Sequence, residues 1–260
     1  MEGSFVWYEL MTTNTEAATR FYTDVIGWQA KPMGQTPTGG DYTTFSIPGY
    51  EMPTAGMLGL TQEMRDGGAR PAWFGYVAVD DVDAKAALFA DNGGTIHMPG
   101  TDIPDIGRFA MVADPHGAVI YLFRPNMPEG PLPDMPKETE QGAVGWTELY
   151  AGDGPEAFDF YATMFGWTKG EAMDMGEMGV YQLFAHDGKD IGGMMTKTPD
   201  MPAPAWGYYF CVDTLDAAAD RVTAGGGAIL NGPMEVPGGS WIVNCMDPQG
   251  AAFSLVAPKR

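Results

Sequence analysis

Two glutamates have the surroundings most suited to chemistry. Glu9 lies in Phe5-Val6-Trp7-Tyr8-Glu9-Leu10 and Glu148 in Val144-Gly145-Trp146-Thr147-Glu148-Leu149, each within an alternating, mostly apolar stretch. A carboxylate placed there must find a partner, stay wet or take up a proton, because burying an unpaired charge is costly. Three uses are open. Each glutamate can accept hydrogen bonds from an indole N–H, a tyrosine or the backbone, and so fix a symmetric interface. It can hold a hydroxyl or amine of a bound molecule. It can also serve as an acid or base once desolvation raises its pKa toward neutrality. Strand alternation sets Phe5, Trp7, Glu9 and Met11 on one face and Val6, Tyr8 and Leu10 on the other.

The other reactive residue types offer less. His97, His116 and His186 form no i, i+2 or i, i+4 pair beside a carboxylate, so no metal spacing is present. Cys211 and Cys245 sit in apolar, strand-like stretches and read as reduced, buried thiols of a cytoplasmic protein. Runs of glycine follow helices instead of preceding them, which leaves no phosphate loop, and no Gly-x-Ser-x-Gly elbow occurs. Arg108 is the one cation near a hairpin end, suited to a ligand contact or to a surface ion pair. No cofactor is expected from these residues.

The elements that must position the glutamates are made twice. Trp7 and Trp146 are 139 positions apart, as are Glu9 and Glu148. The same offset carries Phe21-Tyr22 onto Phe160-Tyr161, Gly27-Trp28 onto Gly166-Trp167 and Tyr42 onto Tyr181. From Trp73 and Trp206 onward the offset is 133 and holds to the end of each copy. A fixed offset of this kind marks internal duplication. Each copy opens with a strand, then a helix capped by Thr13 or Asn14 (Asp153 in the second) and stopped by Gly27 or Gly166. Two strands follow, at 41–47 and 55–60, matched by 180–185 and 191–196. After loose stretches at 64–71 and 197–205 come a strand, a helix with Asp at its cap, and two strands. The last two strands flank the turns Asp114-Pro115-His116-Gly117 and Asp247-Pro248-Gln249-Gly250. Each half therefore reads β-α-β-β twice over, an α+β class. The expected domains are residues 1–124 and 143–260, joined by an extended Pro-rich linker at 125–142.

The chain has 260 residues, 45% of them hydrophobic and 12% aromatic, enough for a sizeable core. Its formal net charge of −20 repels phosphate backbones and anionic headgroups, so nucleic acid and membrane surfaces are poor partners. No signal peptide and no transmembrane segment is expected.

The repeated Trp-x-Glu-Leu opening strand, the helix ending in Phe-Tyr and Gly-Trp, and the closing Asp-Pro-x-Gly hairpin resemble the vicinal oxygen chelate superfamily. That superfamily includes glyoxalase I, bleomycin-resistance proteins and extradiol dioxygenases. The resemblance covers residues 4–125 and 143–257. It implies tandem βαβββ-type modules whose paired mixed sheets curl into a cup, each half here being read as one module with an extra helix. It also implies metal ligands on the first and last strands of each module. Those positions fall on Trp7 and Trp146, and on Tyr121 and Ser254, none of them a usual ligand. Within the implied cup, Trp7, Trp146, Tyr121, Ser254, Met11, Tyr150 and Arg108 are the candidate ligand contacts, with Glu9 and Glu148 as candidate catalytic groups. The expected function is binding of a small apolar or aromatic molecule without the usual metal centre, by a monomer or weak homodimer. Two alternatives stand beside it: a lyase, isomerase or oxygenase using Glu9 and Glu148 as acid–base groups or unconventional metal ligands, and an interaction protein with a filled cup.

Overall fold

Helix ends follow local side-chain chemistry in the computed structural model of the protein, which describes residues 1–36, 39–127 and 133–260. The first strand, β1 (Phe5–Thr12), runs into α1 (Thr15–Ile26), whose N-cap Asn14 accepts a hydrogen bond from Ala17 N. Gly27 ends the helix in the left-handed region, at φ 91°, where a side chain would be strained. Then come β2 (Gln29–Gln35), β3 (Asp41–Ser46), β4 (Ala55–Gly59) and a short α2 (Gln62–Asp66). The first copy closes with β5 (Ala72–Ala78), α3 (Val82–Asp91), β6 (Thr95–Ile103), β7 (Gly107–Ala113) and β8 (Val119–Pro125).

The second copy repeats the plan. It has β9 (Val144–Ala151), α4 (Gly154–Phe165), β10 (Thr168–Asp174), β11 (Val180–His186) and β12 (Lys189–Thr196). It continues with β13 (Ala205–Cys211), α5 (Leu215–Ala224), β14 (Ala228–Glu235), β15 (Trp241–Met246) and β16 (Ala252–Ala257). Asp153 caps α4 and Gly166 ends it at φ 70°. The strands form two eight-stranded mixed sheets, ordered β2-β3-β4-β1-β5-β8-β7-β6 and β10-β11-β12-β9-β13-β16-β15-β14. The pairs β1/β4, β5/β8, β9/β12 and β13/β16 are parallel, and the hairpin neighbours are antiparallel.

Four strands depart from the sequence reading. β2, β6, β10 and β14 add a third strand after each helix, so each half is two complete βαβββ pieces and not one module with an extra helix. All four are outermost in their sheets and exposed along nearly their whole length. An edge strand with both faces wet needs no apolar alternation, and it tolerates residues that would break a central strand. Pro32, Pro99 and Pro233 all sit in such strands, and each of those three strands carries a register shift beside its proline or nearby. The stretch read as loose at 64–71 begins inside α2, which is capped by Thr61. The cap of α5 is Thr214, without a side-chain bond, where an aspartate was expected. Part of the Pro-rich linker, 128–132, lies outside the described residues.

The chain packs as two compact units, each combining parts of both copies. One consists of Met1–Val6, Phe74–Pro131 and Thr147–Gly207, the other of Trp7–Trp73, Leu132–Trp146 and Tyr208–Arg260. Each has its own aromatic core. In the first, Tyr161, Trp167, Phe184 and Trp206 pack together, Trp167 and Phe184 stacking at 4.5 Å, while Phe89 of α3 meets Phe160 of α4 at 5.1 Å. In the second, Tyr22, Trp28, Trp73, Phe210 and Phe253 do the same, and Arg221 of α5 donates to Val25 O of α1 at 2.8 Å. Ring pairs of this kind add about 0.5–1.5 kcal/mol each beyond their burial.

The repeated motifs owe their identity to a buried relay. In one unit Trp73 Nε1 donates to Tyr22 Oη at 2.9 Å, and Tyr22 donates to Asp247 Oδ2 at 3.0 Å. The other unit has Trp206 Nε1 to Tyr161 Oη at 3.2 Å, and Tyr161 to Asp114 Oδ2 at 3.4 Å. Each aspartate also uses Oδ1 to accept backbone N–H groups two and four residues on, which shapes the Asp-Pro-x-Gly turn. Burial raises both carboxyls above their ordinary pKa, and burial together with Asp247 raises Tyr22. Trp28 and Trp167 complete the symmetry by donating to Gly142 O and Gly3 O, at 2.9 and 2.8 Å. Among the described residues no helix is long and apolar enough to cross a membrane.

Candidate functional site

Glu9 is buried and already has a phenol for a partner. Tyr42 of β3 donates to Glu9 Oε2 at 2.8 Å. Desolvation and the glutamate's charge push the Tyr42 phenol far above its ordinary pKa, partly offset by the Trp7 indole N–H beside it, so Tyr42 stays neutral and donates. The register explains how the ring reaches the carboxylate. Gly56 of β4 pairs with Glu9, and a Cβ there would come within 2.2 Å of Tyr42 Oη and 3.0 Å of Trp7. The missing side chain is the space in which the phenol lies.

The second copy repeats the glycine and the ring. Gly193 of β12 pairs with Glu148, and a Cβ on it would meet the Tyr181 ring at 2.2 Å. Glu148 is buried, and Tyr150, two residues further along β9, packs 3.7 Å from where a Cβ on Gly207 would stand. Trp7, Met11, Trp146 and Tyr150 are half-buried. Sequence reading saw the Tyr42/Tyr181 repeat but did not connect it to the glutamates. The available signal was a glycine in each partner strand, since a small residue facing a buried carboxylate leaves room for a ring from the next strand.

The positions expected on the last strands differ sharply. Tyr121 of β8 is buried in a stack, 4.4 Å from Tyr76 with the rings 14° apart, and 6.0 Å from Phe109. Ser254 of β16, also buried, accepts from Asn244 Nδ2 of β15 at 2.8 Å, and the same amide reaches Tyr209 Oη of β13 at 3.4 Å. Asn244 and Tyr209 were not singled out from sequence. Arg108 is bound to two carboxylates. Its Nε and Nη2 meet Asp83 at 2.9 Å and its Nη1 meets Asp102 at 3.0 Å, which holds the Asp83 carboxyl below its usual range.

The donor chemistry at the four implied metal positions does not suit a divalent cation. Indole presents only an N–H, and neutral phenol and alcohol oxygens are poor ligands. Among the described residues no three His, Cys, Asp or Glu side chains gather as a metal site. His97 is exposed, His116 lies 3.3 Å from Glu156, and His186 lies 3.6 Å from Asp187. Both cysteines are free and buried, and burial lifts the Cys211 and Cys245 thiols to about 11 and about 12.

Comparison with known proteins gives one consistent outcome. The family model for the Glyoxalase/Bleomycin resistance protein/Dioxygenase superfamily matches residues 4–122 and 143–255. The glyoxylase-type protein CFP32 of Mycobacterium tuberculosis is 32% identical over 261 residues, covering 99% of this chain and 95% of that protein. The anthracycline biosynthesis protein DauV of Streptomyces sp. (strain C5) is 31% identical, covering 98% and 93%. Among solved structures, the 2,2',3-trihydroxybiphenyl 1,2-dioxygenase of Sphingomonas wittichii strain RW1 superposes with a TM-score of 0.68 at 12% identity, covering 99% and 91%. The Mn(II)-bound glyoxalase of Novosphingobium aromaticivorans gives 0.66 at 14%, covering 99% and 82%. These last two likenesses concern the fold alone.

Proposed function

Because the chain belongs to the Glyoxalase/Bleomycin resistance protein/Dioxygenase superfamily, we propose that it binds a small, planar, largely apolar molecule without the metal centre of its metal-using relatives. The observation that carries this reading is the donor set. Two indoles, a stacked phenol and an alcohol stand at the implied chelating positions, Trp7, Trp146, Tyr121 and Ser254. Half-buried rings on strand faces offer flat apolar area to a flat ligand. The relative DauV is named for anthracycline biosynthesis, and a fused-ring compound of that class has the shape this reading calls for.

Within this reading Trp7, Met11, Trp146 and Ser254, all of one compact unit, are ligand contacts. Glu9 is a positioning residue that holds Tyr42, since its Oε2 is already hydrogen-bonded; Glu148 is assigned the same part from the repeated glycine and Tyr181 ring in its partner strand. The acid–base reading of the glutamates has less support for that reason. Two buried thiols fit a cytoplasmic location, and a chain carrying both copies fits a monomer or weak homodimer. Chelator-treated protein titrated with 2-naphthol tests the reading. Saturable binding of one molecule per chain, unaffected by adding Mn(II), is expected; binding that appears only when metal is restored overturns it.

A further inference from the structure

The two copies diverge at one sheet face, and the difference is volume as well as polarity. In the first copy that face is filled by rings. Tyr121 stacks on Tyr76 and lies 5.6 Å from Phe74, while Phe123 meets Tyr76 edge-on at 6.0 Å and Phe109 stacks on Tyr121. Register and the 133-residue offset give the counterparts in the second copy. Tyr76 corresponds to Tyr209, but Phe74, Phe109, Tyr121 and Phe123 correspond to Gly207, Ile242, Ser254 and Val256. Four of the five rings are gone.

A hydrogen-bonded row occupies the corresponding face of the second copy. Tyr209 pairs with Ser254, and Ser254 with Asn244, across β13, β16 and β15. In the first copy the same row is Tyr76, Tyr121 and Met111. Ser254 Oγ accepts from Asn244 Nδ2, so its own proton points elsewhere, and the row contains no charged group. Bonded to one another, Ser254 and Asn244 put an alcohol and an amide on a sheet face where the first copy has Tyr121 and Met111.

We propose that the Asn244–Ser254–Tyr209 row is a specificity site that hydrogen-bonds an uncharged hydroxyl or carbonyl of the ligand, and that the corresponding face of the first copy is closed by its own side chains. This rests on the reading that the chain binds a planar small molecule, and it adds where the polar group of that molecule is read. Neutral donors and acceptors select neutral polar groups, and a site built to bond a hydroxyl rejects the analogue that lacks it.

The test compares 2-naphthol with naphthalene by calorimetry on the whole chain, with circular dichroism and thermal melting as fold controls. Asn244→Met, the first copy's residue, is expected to weaken 2-naphthol at least about tenfold while leaving naphthalene within about twofold. Ser254→Tyr is expected to abolish binding of both by placing the first copy's ring in the row. Met111→Asn, the reciprocal change, is expected to alter neither. Equal weakening of both probes by Asn244→Met, or unchanged 2-naphthol affinity in that variant, overturns the proposal while the small-molecule reading stands. Absence of saturable binding by either probe to wild-type protein sinks both. If Ser254→Tyr does not fold, Asn244→Met decides alone.

Discussion

Replacing Tyr22 by Phe removes one oxygen from the centre of a buried relay and leaves the ring in place. Tyr22 is fully buried, accepts from Trp73 Nε1 at 2.9 Å and donates to Asp247 Oδ2 at 3.0 Å. A hydrogen bond to a charged acceptor contributes about 1.5–3 kcal/mol, and leaving the indole N–H without its acceptor costs about 1–3 kcal/mol more. Asp247 keeps its backbone donors from Gln249 and Ala251, so the carboxylate is not stranded. The expected loss is therefore about 3–4 kcal/mol, in the lower half of the combined range. Tyr161→Phe removes the equivalent oxygen from longer bonds of 3.2 and 3.4 Å, and should cost about half as much. Equilibrium urea unfolding of both variants, with m-values equal to wild type, reads the difference. Losses below about 0.5 kcal/mol in both, the size of an ordinary surface substitution, or a larger loss at Tyr161 than at Tyr22, would refute the reasoning.

Other consequences can be measured with the same protein. Burial raises Asp247 above its ordinary value of 3.8, so the stability it contributes is fully present below that pH and declines as pH rises through the raised folded value. Asp247→Asn removes this titration; the variant should compare more favourably with wild type at pH 7 than at pH 3, and the opposite trend in unfolding free energy contradicts the assignment. Gly56→Ala drives a methyl to within 2.2 Å of Tyr42 Oη, so it should destabilise by about 1–3 kcal/mol, and Tyr42→Ala should absorb most of that cost in a double-mutant cycle. Additive effects in that cycle would separate Gly56 from the phenol. Cys211 and Cys245, held as neutral thiols by burial, should resist a thiol reagent at pH 8 and react together on unfolding; rapid labelling of native protein would contradict their burial.

Much of the fold was legible because each half repeats signals with a local cause. Asn14, Asp153, Gly27 and Gly166 marked helix ends through capping chemistry, which depends on a few neighbouring residues. Central strands showed in apolar alternation because they are half or wholly buried. β2, β6, β10 and β14 were hidden for the converse reason, since an exposed outer strand places no demand on side-chain type. That each compact unit draws on both copies was equally silent, since an offset reports ancestry and not packing. At the candidate site, Glu9 and Glu148 stood out as buried carboxylates. Their relation to Tyr42 and Tyr181 depends on strand register and on a glycine in the neighbouring strand, neither of which a single strand's pattern contains. Arg108 met its carboxylates across a hairpin and from a helix, pairings that only the folded chain brings about.

Titrating chelator-treated protein with Mn(II) in a calorimeter bears most directly on the idea that these copies no longer chelate. Heats no greater than dilution at micromolar metal, with 2-naphthol binding intact, are what the side chains of Trp7, Trp146, Tyr121 and Ser254 predict at the implied chelating positions. One tightly bound equivalent per chain, lost on replacing Glu9 or Glu148 by Gln, would contradict it.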